Sequence, residues 1–477
     1  VCGLCGLIES AQGTRCIYAR MPQFSSTSTE RRYIEEQERK AYNNKPTLIA
    51  APNRPDRQHV GRQQGPLLSN QRYTDTAMVA TTSGLSQERL QQISRLTARY
   101  VDAGRLPGTL TLVARRGHVA YLEANGLMDV EAGTPVARDT IFRIFSMSKP
   151  ITSVALMTLY EDGHFQLDDP VSRFVPGFKN LAVYVSGAAD NFTTRPAERE
   201  MTVRDLLTHT SGLTYGFMNT NVVDELYRKN EVEASSTIEE MVEKLCGIPL
   251  QFSPGSRWRY SVATDVCGYL VQKISGTRFD EYLQNRIFDP LGMTDTGFHV
   301  PESQADRLAA NYQRTEGDGL RLVDPPPTSR YLQPPTYHSG GGGLVSTIDD
   351  YYRFAAMMLG KGQLDGVRIL GRKTVELMLM NHLPTGGDLT SMGQAVFSET
   401  PYDGIGFGLG FSVMLDPATA RILGTPGEGA WGGAASTYFW VDPGEELIVI
   451  LMTQLLPSSS YPIRREMRVA AYQAIVD

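Results

Sequence analysis

Thr140-Ile141-Phe142-Arg143-Ile144-Phe145-Ser146-Met147-Ser148-Lys149-Pro150-Ile151-Thr152 contains the only serine in the chain that stands three residues ahead of a lysine. A serine hydroxyl is a poor nucleophile until a base takes its proton. On a helix, residues i and i+3 share one face. A helix opening at Ser146 therefore sets the Lys149 amine beside the Ser146 hydroxyl. That is the S-x-x-K arrangement of serine acyl-transfer enzymes. A helix N-terminus also supplies a partial positive field where an oxyanion would form. The competing reading is a capping serine and a surface lysine. Roughly one or two such spacings arise by chance in a chain of this length, so the surroundings must decide.

Working outward, Ser86 can cap a helix that carries Leu90, Ile93, Leu96 and Val101 on one face. Residues 109–114 and 119–124 flank Arg115-Arg116-Gly117-His118 and read as a β-hairpin. An apolar helix follows over 147–162, ended by Gly163, with Pro150 tolerated only in the first turn. The middle of the chain, about 165–340, is loop-rich with helices at 203–207, 237–245 and 264–274. Ser339-Gly340-Gly341-Gly342-Gly343 precedes a helix at 347–359. Residues 436–441 and 446–453 flank Asp442-Pro443-Gly444-Glu445 as a second hairpin, and a last helix covers 463–475. Hairpins at both ends predict one antiparallel sheet built from both halves of the chain. The implied organisation is an α/β domain from 81–165 and 340–477 and a mainly helical inserted domain at 166–339.

The chain has 477 residues and a formal net charge of -6, which gives no sign of nucleic-acid binding. No apolar run approaches the roughly 18 residues of a membrane span. Residues 1–80 stand apart, with 11 Lys+Arg against 7 Asp+Glu and few apolar clusters. This segment, up to Met78, reads as a weakly structured extension without the apolar stretch of a secretory signal. Cys2-x-x-Cys5 has no second C-x-x-C or H-x-H pair nearby, so no metal site is expected. The five cysteines read as free thiols, and the expected location is cytoplasmic.

More motifs follow in order: Val203-Arg204-Asp205-Leu206-Leu207-Thr208-His209-Thr210-Ser211-Gly212-Leu213, Phe252-Ser253-Pro254-Gly255 with Tyr260-Ser261, Asp289-Pro290-Leu291-Gly292-Met293, and Gly341-Gly342-Gly343-Leu344-Val345-Ser346-Thr347. With the stretch around Ser146, they closely resemble the β-lactamase-like serine hydrolases over about residues 85–455. That superfamily includes class C β-lactamases, D-Ala-D-Ala peptidases and the family VIII carboxylesterases. The resemblance implies an α+β fold of β-lactamase/transpeptidase type, with a central antiparallel sheet flanked by helices and a helical domain beside it.

The resemblance assigns Tyr260 to the tyrosine of a Y-x-N motif that faces the nucleophile, where it relays a proton to the leaving group. Here the motif reads Tyr260-Ser261-Val262, with valine where asparagine is usual. An isolated tyrosine is ordinarily a core residue. A K-T-G motif normally lines the site on an edge strand. Its match is Trp431-Gly432-Gly433-Ala434, with tryptophan for lysine, as in family VIII carboxylesterases. Core packing is the competing reading for Trp431. The glycines Gly432 and Gly433 would let a substrate lie close to the strand. The backbone N–H groups of Ser146 and Ala434 are the oxyanion-hole candidates. His209 and Asp265 read as structural. No G-x-S-x-G or H-E-x-x-H is present.

The implied activity is hydrolysis of short-chain carboxylic esters through an acyl-enzyme on Ser146, with Lys149 and Tyr260 as general base and no cofactor. The partner is a small-molecule ester. β-Lactam hydrolysis, on cephalosporins as a side activity, and acyl transfer to another alcohol are the alternatives. Acyl preference and oligomeric state are not legible in the sequence.

Overall fold

Every residue of the strand Leu447–Met452 is buried, because it feeds two cores at once. Ile448, Ile450 and Met452 face one apolar cluster, while Leu447, Val449 and Leu451 face another. A strand covered on both faces loses the apolar/polar alternation of a half-exposed one. The structure is a computed structural model and describes residues 82–393 and 402–477. The expected N-terminal extension, with Cys2, Cys5 and Cys16, lies outside those residues.

The main sheet uses strands β1 (Gly108–Arg115), β2 (His118–Asp129) and β3 (Thr134–Pro135) from the first half of the chain. From the second half come β4 (Ile405–Phe407), β5 (Ser412–Met414), β6 (Gly429–Gly432), β7 (Tyr438–Asp442) and β8 (Leu447–Met452). The order across the sheet is β4-β5-β6-β7-β8-β1-β2-β3, antiparallel throughout. β1 and β8, far apart in sequence, pair centrally, with Leu112 opposite Ile450.

One face of the sheet carries helix α1 (Gln87–Asp102) and the C-terminal helix α6 (Ile463–Tyr472), which pack on each other. The Ser86 side chain caps α1 by accepting from the Arg89 N–H. The other face carries α2 (Ser148–Glu161) within its core and α5 (Ile348–Leu359) against β7, β8 and β1. Residues Ser148 to Leu159 of α2 are all buried, so this helix has no solvent face. Between the two sheet halves lie α3 (Val203–Leu207) and α4 (Ala263–Ser275), the latter packed on α2. The same stretch holds the hairpins Ala182–Ala188/Asn191–Pro196 and Asn311–Arg314/Leu320–Asp324. Among the described residues, no helix is long and apolar enough to cross a membrane, and no His/Cys/Asp/Glu group could hold a metal ion.

Candidate active site

The stretch 140–152 folds into three pieces. Phe142–Arg143 is a short strand paired with Val345–Ser346, Phe145–Met147 is a 3₁₀ turn, and α2 begins at Ser148. The expected helix starting at Ser146 or Met147 is thus replaced by a tighter turn. In 3₁₀ geometry residues i and i+3 nearly eclipse, so Lys149 still meets Ser146, with Nζ 3.4 Å from Oγ. The preceding Phe145 has φ of 43°, the left-handed region that a bulky side chain avoids. That strain is held in place from below. The fully buried Arg143 donates to Asp324 at 2.6 Å, to Ser329 at 2.9 Å and to the Ala309 carbonyl.

Tyr260 lies just before α4, after the Pro254-Gly255 turn, where Gly255 takes φ of 82°. Its hydroxyl donates to Ser146 Oγ at 2.5 Å. Lys149, 1% exposed, directs its ammonium at three oxygens: Gly341 O at 2.7 Å, Tyr215 Oη at 3.1 Å and Ser146 Oγ. Its Nζ also stands 4.4 Å from the centre of the Tyr260 ring, a cation–π contact. No carboxylate pairs with it among the described residues.

Tyr215 and the Gly341 carbonyl are the lysine partners that sequence reasoning missed. Tyr215 sits two residues past the T-H-T-S-G-L run, on an irregular segment with no periodic signal. Burial, then the nearby Asp265, hold its hydroxyl well above the usual tyrosine range, so it stays protonated. Asp265 fixes the other partner by accepting from the Ser339 hydroxyl at 2.5 Å and from the Gly341 N–H at 3.0 Å. His209 packs 5.1 Å from the Tyr260 ring and shares a hydrogen bond with Ser261 Oγ at 3.0 Å. Burial, then Lys149, hold its imidazole well below the usual histidine range, so it is neutral and supports the Tyr260 wall. Val262 is 1% exposed and occupies the position before α4, in the core.

Trp431 ends β6 with Gly432. Its ring lies 5.7 Å from Tyr260 and edge-on to Phe407 at 5.3 Å. Only 6% exposed, it is as much a core side chain as a cleft wall. The two glycines serve contacts within the protein. A Cβ at Gly433 would collide with the Ile144 carbonyl, and one at Gly432 would sit 2.8 Å from the Arg464 guanidinium carbon. Both glycines thus let this turn pack closely on the Ser146 turn and on α6. Ala434 is exposed, and its N–H has no acceptor among the described residues.

The sequence profile of the family described as Beta-lactamase matches residues 93–474. A protein of Mycobacterium tuberculosis is 38% identical over 364 residues, covering 75% of this chain and 88% of the relative. Esterase EstB of Burkholderia gladioli is 32% identical over 419 residues, covering 83% of this chain and 99% of EstB. The solved structure of EstCE1, described as a hydrolase with promiscuous acyltransferase activity, superposes with a TM-score of 0.68 at 28% identity, covering 83% of this chain and all of that one. The chain belongs to the β-lactamase family, and within it to the enzymes similar to family VIII carboxylesterases.

Proposed function

We propose that the protein is a serine carboxylesterase acting on short-chain esters through an acyl-enzyme at Ser146. The observation that carries this reading is the triangle of Ser146 Oγ, Tyr260 Oη at 2.5 Å and Lys149 Nζ at 3.4 Å. In the reactive form the Tyr260–Lys149 pair carries one proton fewer, as a Tyr260 phenolate held against the Lys149 ammonium. As Oγ attacks the ester carbonyl, its proton passes to that phenolate. The Ser146 and Ala434 N–H groups receive the oxyanion of the tetrahedral intermediate. Collapse breaks the acyl–oxygen bond, and Tyr260 returns the proton to the leaving alcohol. Water then gives a proton to the same pair, attacks the acyl group and releases the acid, and the proton returns to Ser146.

Esters over β-lactams follows from what the site lacks. A β-lactam presents a carboxylate and an amide side chain, which lysine and asparagine ordinarily receive in this family. Here those positions are Trp431, which brings no charge to a carboxylate, and Val262, whose side chain has no hydrogen-bonding atom. Each such hydrogen bond is worth about 1–3 kcal/mol, so losing both lowers β-lactam turnover by on the order of 10²–10⁴-fold. The test is a side-by-side kcat/KM comparison of an aryl acetate or butyrate with a cephalosporin, using Ser146→Ala as control. The ester should win; a cephalosporin turned over more efficiently overturns the reading. Acyl transfer is the second reading, supported by the likeness to EstCE1. Added short alcohols should then partition the acyl-enzyme toward new esters in place of acid.

A further inference from the structure

Helix α6 carries two arginines four residues apart, Arg464 and Arg468. Arg468 is buried against Glu428, with bonds of 2.7 and 2.5 Å. Arg464 has no carboxylate partner among the described residues. It is half-buried, its Nε is enclosed without an acceptor, and its Cζ lies 5.3 Å over the Tyr438 ring. One guanidinium nitrogen donates to the Gly433 carbonyl at 2.6 Å and to the Thr437 carbonyl at 2.9 Å.

The Gly433 carbonyl and the Ala434 N–H are the two ends of one peptide unit. Resonance couples them: drawing electron density onto the carbonyl oxygen leaves the N–H more positive. A charged donor on that oxygen does so more strongly than a neutral one, and chains of hydrogen bonds reinforce each other in a low-dielectric setting. The Ala434 N–H is the free end of this chain. Gly432 makes the arrangement sterically possible, because a side chain there would press on the guanidinium.

We infer that Arg464 is a positioning residue for the reaction, acting through the Gly433–Ala434 peptide to strengthen the Ala434 N–H as an oxyanion donor and to hold its turn against Ser146. The inference rests on the acyl-enzyme reading and assigns α6, a helix on the far face of the sheet, a part in catalysis. Its uncompensated positive charge also lies behind the oxyanion site with no carboxylate to cancel it. The geometry calls for a cation at this place even though the substrate is neutral. The alternative use of such a cation, attraction of a substrate carboxylate, predicts a different outcome below.

The test compares wild type, Arg464→Met, Arg464→Lys and Gly432→Ala on a neutral aryl butyrate and on an aryl ester bearing a carboxylate. It also measures inhibition by an aryl boronic acid, which forms a tetrahedral adduct on the serine. Arg464→Met should lower kcat roughly tenfold for both esters, short of the 10²–10³ lost with an oxyanion donor itself. KM should stay close to wild type, and boronate affinity should fall by the same factor as kcat. Arg464→Lys should recover most of the loss, and Gly432→Ala, which displaces the guanidinium, should share it. A purely structural role would change thermal stability without this kcat-to-boronate correspondence and would overturn the inference. So would unchanged kcat, or a loss confined to KM for the carboxylate-bearing ester. Failure of the wild type to turn over esters or form the boronate adduct would instead sink the acyl-enzyme reading.

Discussion

Arg468 and Lys149 are both buried cations, 3% and 1% exposed, and they are buried in opposite ways. Arg468 meets the Glu428 carboxylate, with the Tyr438 and Tyr472 hydroxyls completing a closed cluster. Burial alone would lower its guanidinium, but Glu428 outweighs that and holds it raised. Arg259 is likewise paired, with Asp224 at 3.0 Å, but there burial outweighs the carboxylate and holds the guanidinium below its ordinary range. Lys149 has only neutral oxygens and an aromatic face. A paired buried charge is spent on holding structure. A buried charge without its opposite keeps its field available to whatever reacts beside it. Asp350 is the anionic counterpart: 5% exposed, with no cation in salt-bridge range among the described residues, accepting from the Asp295 N–H at 2.7 Å and the Thr296 hydroxyl at 2.9 Å.

The largest effect should come from breaking the paired cluster. Glu428→Gln leaves Arg468 buried and uncompensated, and such a loss costs about 3–5 kcal/mol of unfolding free energy. Denaturant melts should register it, while kcat per folded molecule stays within about twofold. An equal loss of kcat would mean that the two regions are not separable.

Lys149→Met should do the reverse. We expect kcat to fall roughly 10²-fold or more, with Tyr260→Phe doing the same, the scale of losing a general base. Stability should not drop by more than about 1 kcal/mol, since removing an unpaired buried charge removes its desolvation cost too. Marked destabilisation with normal kcat would place Lys149 among the structural charges.

Asp350→Asn sharpens the contrast through pH. Burial pushes the Asp350 carboxyl up to about 6, above its ordinary value near 3.8. The folded state therefore holds this proton more tightly than the unfolded one. Its contribution to stability is full below about 4 and declines as pH rises toward 6. Asp350→Asn lacks that decline and should be more stable than wild type at neutral pH by roughly 3 kcal/mol. Unfolding curves between pH 4 and 7.5 would show it; parallel pH profiles would refute it.

Much of this was legible because it is local. Ser146 and Lys149 lie within one turn, and both central hairpins carry their turn residues with them. A single antiparallel sheet built from both halves of the chain was inferable from where the apolar hairpins fall, whereas the pairing of β1 with β8 was not. What escaped reading depends on contacts across hundreds of residues. Tyr215 reaches Lys149 from an irregular loop, and Gly341 does so only because Asp265 holds its backbone. Arg464 sits in the last helix, and nothing in its sequence neighbours announces the Gly433 carbonyl. Arg143 interrupts an apolar stretch, and nothing local shows that it is fully buried in the anchor beneath Ser146. The glycines of 432–433 were noticed for close approach, and within the protein the groups that approach them are Arg464, Thr437 and Ile144.

The central claim is an acyl-enzyme on Ser146, and trapping it is the most direct test. The purified protein would be quenched in acid during turnover of an aryl butyrate, or incubated with a fluorophosphonate, then digested and mapped by mass spectrometry. The account predicts one modified peptide, carrying the adduct on Ser146, retained in Ser148→Ala and absent in Ser146→Ala, which also loses turnover while keeping its fold. An adduct on Ser148 or elsewhere, or an active Ser146→Ala protein, would contradict it.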